Sequence, residues 1–443
     1  MESSGNTIRV ASRTLALAIA LALGETIAPR VAAAGNIVLV DQCDDDGPGS
    51  LRAAAASAVN GGTIDLTALA CDTIELTSGE ITFAQEGVYL EGPGAGALTI
   101  SSAFGSRVFN HSGTGQLAVH GVTIAEGKYF SDTNAYGGCV NSSGRIFLED
   151  TIVRDCMLVG GDQTIAKGGG LRGTGDVTLI SSRVSGNSVT GQAPGVFDCE
   201  AGGVQANGDL TVKYSTIDDN TAFSLEDGDT CGGGGAVVFG SVVFFQSTLS
   251  NNEASGTGGI SISTGGAATF IESTISGNHS TGFGGGIYSQ SDLEIWNSTI
   301  AFNYSGFSHA AVYRRDGNVT LQSTIIAGNW RPGGIANDLG GNDATIVSGS
   351  NNLITSSAVA VPPDTITDCP RLGALDDNGG PTATHALHPD SVAIDAGNNL
   401  GDHEEDQRGL PRVIGAAADI GAVERASDDA FAFRSGFEAR CEG

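Results

Sequence analysis

Eight short motifs of one shape recur down the chain: VTIAEG at 122–127, DTIVRD at 150–155, SRVSGN at 182–187, STIDDN at 215–220, STLSNN at 247–252, STISGN at 273–278, STIAFN at 298–303 and STIIAGN at 323–329. Their apolar anchors, Ile124, Ile152, Val184, Ile217, Leu249, Ile275, Ile300 and Ile325, are separated by 28, 32, 33, 32, 26, 25 and 25 residues. A period of this size marks a supersecondary unit that cannot bury its apolar side alone and must stack on its neighbours. A second marker runs in phase, with small-residue pairs at Gly137–Gly138, Gly169–Gly170, Gly202–Gly203, Gly234–Gly235, Gly258–Gly259, Gly285–Gly286 and Ala310–Ala311. Short alternating pieces follow each pair, as in Ile260-Ser-Ile262, Ala268-Thr-Phe270-Ile271 and Thr274-Ile275, so that one repeat holds about three strands. Stacked coils place equivalent strands about 4.8 Å apart, which makes the Ile, Val and Leu anchors an internal ladder and turns the Ser and Thr hydroxyls outward or into corners. The expected fold is all-β: a parallel β-helix.

Three asides of the pattern sharpen this. Asn187, Asn220, Asn252, Asn278 and Asn303 stand three residues beyond their anchors, and Asn329 joins them after a one-residue slip; they read as structural corner residues, because Asn tolerates left-handed backbone and its amide can satisfy turn groups. Helical repeats are excluded because no unit carries ten residues of helical periodicity. A propeller blade needs about 40 residues, more than the clearest units provide. At the N-terminal end, residues 49–60 read as a helical cap with Ser50 as N-cap and Leu51, Ala54, Ala55 and Ala58 inward, followed by irregular strands up to residue 119.

Residues 1–34 carry Arg9 and Arg13, the apolar run Leu15–Leu23, Pro29 and the small residues Ala32–Ala34, the order of a cleaved export signal. A membrane span would need about 17–25 apolar residues, so no integral segment is expected once the signal is removed. Beyond residue 34 the chain holds 18 Lys and Arg against 48 Asp and Glu, a net charge of −30, which disfavours nucleic acid as a partner. The eight cysteines fit an oxidising compartment. Cys199 and Cys231 each stand three residues before a glycine pair, one coil apart, and are expected to bond; Cys43 with Cys71 would tie the cap, Cys139 with Cys156 would close a local loop, and Cys369 with Cys441 remain by elimination.

The longer repeats hold extra residues at about 158–166, 190–200 and 222–232, always between the Asn corner and the next glycine pair, so three loops are expected on one flank. Two are acidic, which makes Asp198, Glu200, Glu226, Asp227 and Asp229 the candidate Ca²⁺ contacts and this flank the leading candidate for ligand binding. His279, His309, His385 and His388 lack a third converging ligand and read as surface or packing residues. Asp395, Asp406, Arg408, Arg412, Asp419 and Glu424 are expected to form a polar network tying the final coil together. A lyase would need a basic residue beside a cation-binding acidic cluster, and no such motif stands out; a hydrolase needs only two suitably placed carboxylates.

The segments DDDGPGSLRAAAASAVNGG at 44–62, LEGPGAGALTI at 90–100 and RVFNHSG at 107–113 resemble the first coils of bacterial polymorphic outer-membrane-protein-like β-helix proteins. LGALDDNGGPTATHALHPDSVAIDAGNN at 372–399 and DQRGLPRVIGAAADIGAVE at 406–424 resemble the choice-of-anchor Q domain, with Val392 where similar proteins often have Pro. The tail at 428–443 resembles a short sorting segment ending in Gly-Phe-Glu, with Ser435 in place of the more usual Asp. The resemblance implies a right-handed parallel β-helix of the pectate-lyase-like solenoid class, exported or held on the outer surface of a Gram-negative bacterium, without an assigned catalytic residue. The expected organisation is a signal at 1–34, cap and first coils at 35–120, regular repeats at 121–355, a C-terminal coil with the anchor-like segment at 356–427 and a tail at 428–443. The expected role is a non-enzymatic, monomeric one in adhesion or extracellular glycan contact; the alternative is a polysaccharide lyase or glycoside hydrolase acting on an extracellular polymer.

Overall fold

Alternation of buried and half-exposed residues runs through strands such as Val88–Glu91, Val177–Ile180 and Arg145–Glu149, the period of a strand with one face inward. In the computed structural model these strands wind into an all-β, right-handed parallel solenoid of about ten coils. The structure describes residues 36–161, 165–191, 199–224, 231–342 and 345–426; the expected export signal at 1–34, the tail at 428–443 and Cys441 lie outside them. Among the described residues the coils stack into sheets of 12, 11, 10 and 9 strands, each with successive coils as neighbours, and a three-stranded sheet lies beside them.

One coil shows the path. Ile260–Ile262 lies in the 10-stranded sheet, Ala268–Ile271 in the 12-stranded, Thr274–Ser276 in the 11-stranded and His279–Ser280 in the 9-stranded, before Ile287–Ser289 re-enters the 10-stranded sheet. The two residues after the asparagine thus make a fourth, short side beyond the three read from the repeat. Pairing corrects the repeat's phase at two places: Ile124 stacks on Val153 rather than Ile152, and Ile300 on Ile326 rather than Ile325. A one-residue shift turns a side chain to the other face: Val153 and Ile326 enter the central core, whereas Ile325, equally buried, packs in a separate outer cluster with Leu372, Leu387 and Ile420. With Ile326 as anchor, Asn329 stands in phase without any slip.

Each coil turns two corners by one device. The residue before each asparagine takes a left-handed conformation (Gly186, Asp219, Asn251, Gly277, Phe302 and Gly328), so the backbone strain sits one place earlier than expected and the asparagine itself points inward. Asn187 donates from Nδ2 to Asn220 Oδ1 at 2.9 Å, and Asn220, Asn252, Asn278 and Asn303 each repeat the bond to the next coil. At the other corner Ser181, Tyr214, Gln246, Glu272, Asn297 and Ser323 are left-handed, and the residues that follow include a buried serine ladder, Ser182, Ser215, Ser247, Ser273 and Ser298, whose hydroxyls accept from the backbone of the coil before. The glycine pairs answer to close approach: a Cβ on Gly138, Gly169, Gly202, Gly234, Gly258 or Gly285 would strike the carbonyl oxygen of its counterpart one coil on.

The helix Leu51–Ser57 covers the first coil, with Ser50 Oγ accepting from Ala53 N and Leu51, Ala54 and Ala55 buried. Three disulfides join pairs of the described residues: Cys43–Cys71, Cys139–Cys156 and Cys199–Cys231, with Cα separations of 6.3, 5.4 and 4.7 Å. Cys369 is disulfide-bonded as well. Among the described residues beyond 366 the chain adds no rung to the four long sheets; Leu372–Asp376 and Thr384–Leu387 pair antiparallel, and the stretch through residue 426 folds back as a strap along the outside of the 11-stranded sheet.

Candidate functional site

The connection between the 9- and 10-stranded sheets changes character along the stack. In the earlier coils it is long: it holds the strands Ala135–Tyr136, Ala166–Lys167 and Cys199–Glu200, whose register sets Tyr136, Lys167 and Glu200 in an outward row. Lys167 Nζ binds Glu200 Oε1 at 3.0 Å, and the Arg172 guanidinium lies 4.0 Å from the centre of the Tyr136 ring. Of the acidic candidates, Glu200 is therefore committed through one oxygen to Lys167, while Asp198, Glu226, Asp227 and Asp229 lie outside the described residues. No group of three His, Cys, Asp or Glu side chains able to hold a metal occurs among the described residues.

In the later coils the same connection is short and carries aromatic rings. Phe283 and Phe307 occupy successive turns there, Phe283 bridging the backbone of Ser308, with ring centres 5.0 Å apart and exposures of 41% and 68%. On the adjoining outer face of the 10-stranded sheet, register places Tyr288 beside Tyr313, ring centres 5.6 Å apart, and Tyr313 lies 6.3 Å from Phe283. Two and three coils before Tyr288 on that face, Val237 and Gln205 are buried, and Ser261, one coil before it, is half-buried, so the face opens towards the tyrosines. Gln290 Nε2 and Arg315 Nη1 both donate to the Tyr288 hydroxyl, at 3.3 and 3.5 Å. His309 packs against Tyr313, and burial, then the charge of Arg331, lowers its pKa. Nothing in the repeat singled out these rings: Phe283 and Phe307 lie in turns, and Tyr288 and Tyr313 at outward strand positions.

A third row, Glu253, His279, Tyr304 and Trp330, follows the asparagines on the 9-stranded sheet. His279 bonds Glu253 at 2.9 Å and stacks on Tyr304, which meets Trp330 edge-on, so these rings spend their faces on one another. His385 is wholly buried between Ser276 Oγ and the Gly373 carbonyl, and burial lowers its pKa to about 4; it fastens the strap.

The polar residues of the strap do meet. Arg408 pairs with Asp406 at 2.9 Å and also donates to the Glu424 carbonyl; Asp419 accepts from the Asp395 backbone, and Glu424 accepts from the Asp419 backbone. Arg412 donates to the Asp419 carbonyl and lies 3.5 Å from Glu272, a corner residue of the solenoid that the sequence pattern did not single out. The network therefore ties the strap to the stack, with Asp406, Arg408, Arg412, Asp419 and Glu424 buried and Asp395 exposed at its edge. A cleft at the N-terminal end lined by Asp44, Asp45, Asp46 and Glu75 is likewise structural at its centre. Burial pushes the Asp45 carboxyl up, but hydrogen bonds from Arg52 and Ser78 outweigh it and hold its pKa below the usual range.

No protein-family model matches the chain, and no curated protein matches its sequence. Among solved structures it is similar to the crystal structure of pectate lyase Pel9A, at 16% sequence identity and a TM-score of 0.45, over 88% of this chain and 96% of that one. Among the described residues no helix is long and apolar enough to cross a membrane.

Proposed function

We propose that the chain is an exported protein, secreted or held on the outer surface of a Gram-negative bacterium, that contacts extracellular glycan or another cell-surface component without altering it chemically. The observation that carries this reading is the single flank on which long loops give way, in register, to exposed rings on a rigid stack. Binding residues concentrate on loops and turns that a scaffold holds still. The disulfides accord with an oxidising compartment, and the leader at 1–34 is the export signal of this reading. The anchor-like segment at 372–424 and the first coils align the protein with the choice-of-anchor Q and polymorphic outer-membrane-protein-like families. Asp198, Glu226, Asp227 and Asp229, with the second oxygen of Glu200, are its Ca²⁺ contacts, and the protein acts as a monomer.

Incubation of the purified protein with a panel of neutral and acidic polysaccharides and with bacterial cells, with and without Ca²⁺, tests the reading. Saturable binding without product is the expected result. New reducing ends or unsaturated uronate products would establish the lyase or hydrolase alternative, and absence of binding across the panel would overturn adhesion.

A further inference from the structure

We infer that Phe283, Phe307, Tyr288 and Tyr313 form the floor of a carbohydrate-binding site that takes a neutral polysaccharide chain. The inference rests on the glycan-contact reading above and assigns it a place and a ligand class. Four rings linked in a chain by centre-to-centre contacts of 5.0, 6.3 and 5.6 Å, two of them strongly exposed, are costly to leave in water unless they meet a partner. Their environment distinguishes partners. A purely apolar helix would want an unbroken greasy groove, but here a ring of polar groups borders the floor: the Tyr288 hydroxyl with its donors Gln290 and Arg315, and the outward Ser261 one coil before Tyr288. A pyranose matches that mixture, since its axial C–H bonds present a weakly positive apolar face to the negative face of an aromatic ring while its equatorial hydroxyls reach sideways to polar groups.

Charge selects among sugars. The chain carries a formal net charge of −29, and an acidic polymer approaching it is repelled over the whole stack. Among the described residues near the rings, Arg314 is buried, Arg315 donates to Tyr288 and lies beside Asp316, and burial and the charge of Arg331 lower the His309 pKa, so Arg315 and Arg331 are separate charges rather than a cationic cluster built for uronate or sulfate groups. The same outer face is buried at Val237, half-buried at Ser261 and carries rings at Tyr288 and Tyr313, so the open part of the floor lies on the later coils.

Affinity electrophoresis in gels containing hydroxyethylcellulose, xylan or galactomannan, against polygalacturonate and alginate, decides the matter. The expected result is retardation by at least one neutral polymer that persists at 0.5 M NaCl and falls by about tenfold or more in Phe307→Ala and in Tyr313→Ala, each retaining the wild-type thermal melt. Phe307 is exposed, so its truncation leaves the core intact. Wild-type retardation unchanged in both variants would overturn the site while leaving glycan contact standing, and binding confined to the acidic polymers and lost in salt would overturn the ligand class. Absence of retardation in every gel would sink the underlying reading as well. Concentration-dependent self-association in sedimentation, abolished by Phe307→Ala and unaffected by the polymers, would make the floor a contact between copies and overturn the proposal.

Discussion

An inward asparagine is affordable only because its neighbours above and below complete it. Asn278 shows the arrangement: its Oδ1 accepts from the backbone and the side chain of Asn252, while its Nδ2 donates to Asn303 and to the Leu249 carbonyl. The row begins where the backbone of Cys156 donates to Asn187 and ends at Asp338, which accepts from Asn329 at 2.8 Å. Asn278→Ala would strand two donors of Asn252 in a dry interior, so a loss of about 2–4 kcal/mol is expected in urea unfolding, larger than cavity formation alone would give for so small a truncation. A loss below about 0.5 kcal/mol would show that the ladder is ornamental. Glu272 poses a different residue-level question. Burial first, against the pull of Arg412, pushes its pKa from the usual 4.5 up to about 8. A carboxyl raised in the folded state stabilises fully below its unfolded pKa and loses that contribution as pH rises through the folded value. Wild-type stability should therefore fall, relative to Glu272→Gln, between about pH 5 and pH 8, by an amount on the order of a few kcal/mol. Parallel curves for the two proteins across that window would refute the assignment.

The strap is held by elements that no periodicity announces. Gln407 alone accepts from Thr274 and donates to the Ser247 carbonyl, to Thr248 and to Thr382, all buried. Gln407→Ala leaves those hydroxyls and a carbonyl short of partners, and about 2–3 kcal/mol should be lost. Amide exchange should accelerate over 372–424 and not over the coils before 240; uniform acceleration would mean that the strap and the stack open together. This contact also marks the boundary of what the sequence could tell. The coils, the cap helix and the pairings of Cys43, Cys139 and Cys199 follow from local spacing, because a solenoid makes each residue's neighbour the one a coil away. Val153 and Ile326 escaped because two apolar residues stand side by side there and only stacking chooses between them. Glu272, Gln246 and Ser323 look like ordinary corner residues until the strap arrives more than 70 residues later in the chain. The aromatic floor was hidden for a related reason: Phe283 and Phe307 lie in turns, Tyr288 and Tyr313 on strands, and their meeting depends on register.

A stack in which each coil touches only its neighbours is weak as a cooperative object, since it can fray from its ends. The strap changes that for the C-terminal part. Through Gln246, Glu272 and Ser323 it grips corners of separate coils at once, joining by one segment what the ladders join only pairwise. Opening one of these coils then means releasing the strap from the others, so the C-terminal coils should unfold as a block together with the rest. The two tryptophans of the chain are placed to test this, because Trp296 is buried beside the corner residue Asn297 and Trp330 lies on the last rung of the 9-stranded sheet before it turns antiparallel. Fluorescence thus reports the strapped coils, whereas far-ultraviolet circular dichroism reports the whole solenoid. In the wild-type protein the two unfolding transitions should coincide. In the double variant Gln407→Ala/Arg412→Ala the fluorescence transition should move to lower urea and separate from the dichroism transition, because the last coils can then melt while those bearing the first loops stay wound. Coincident transitions in the variant would show that the core ladders alone suffice for cooperativity and that the strap merely covers an outer face.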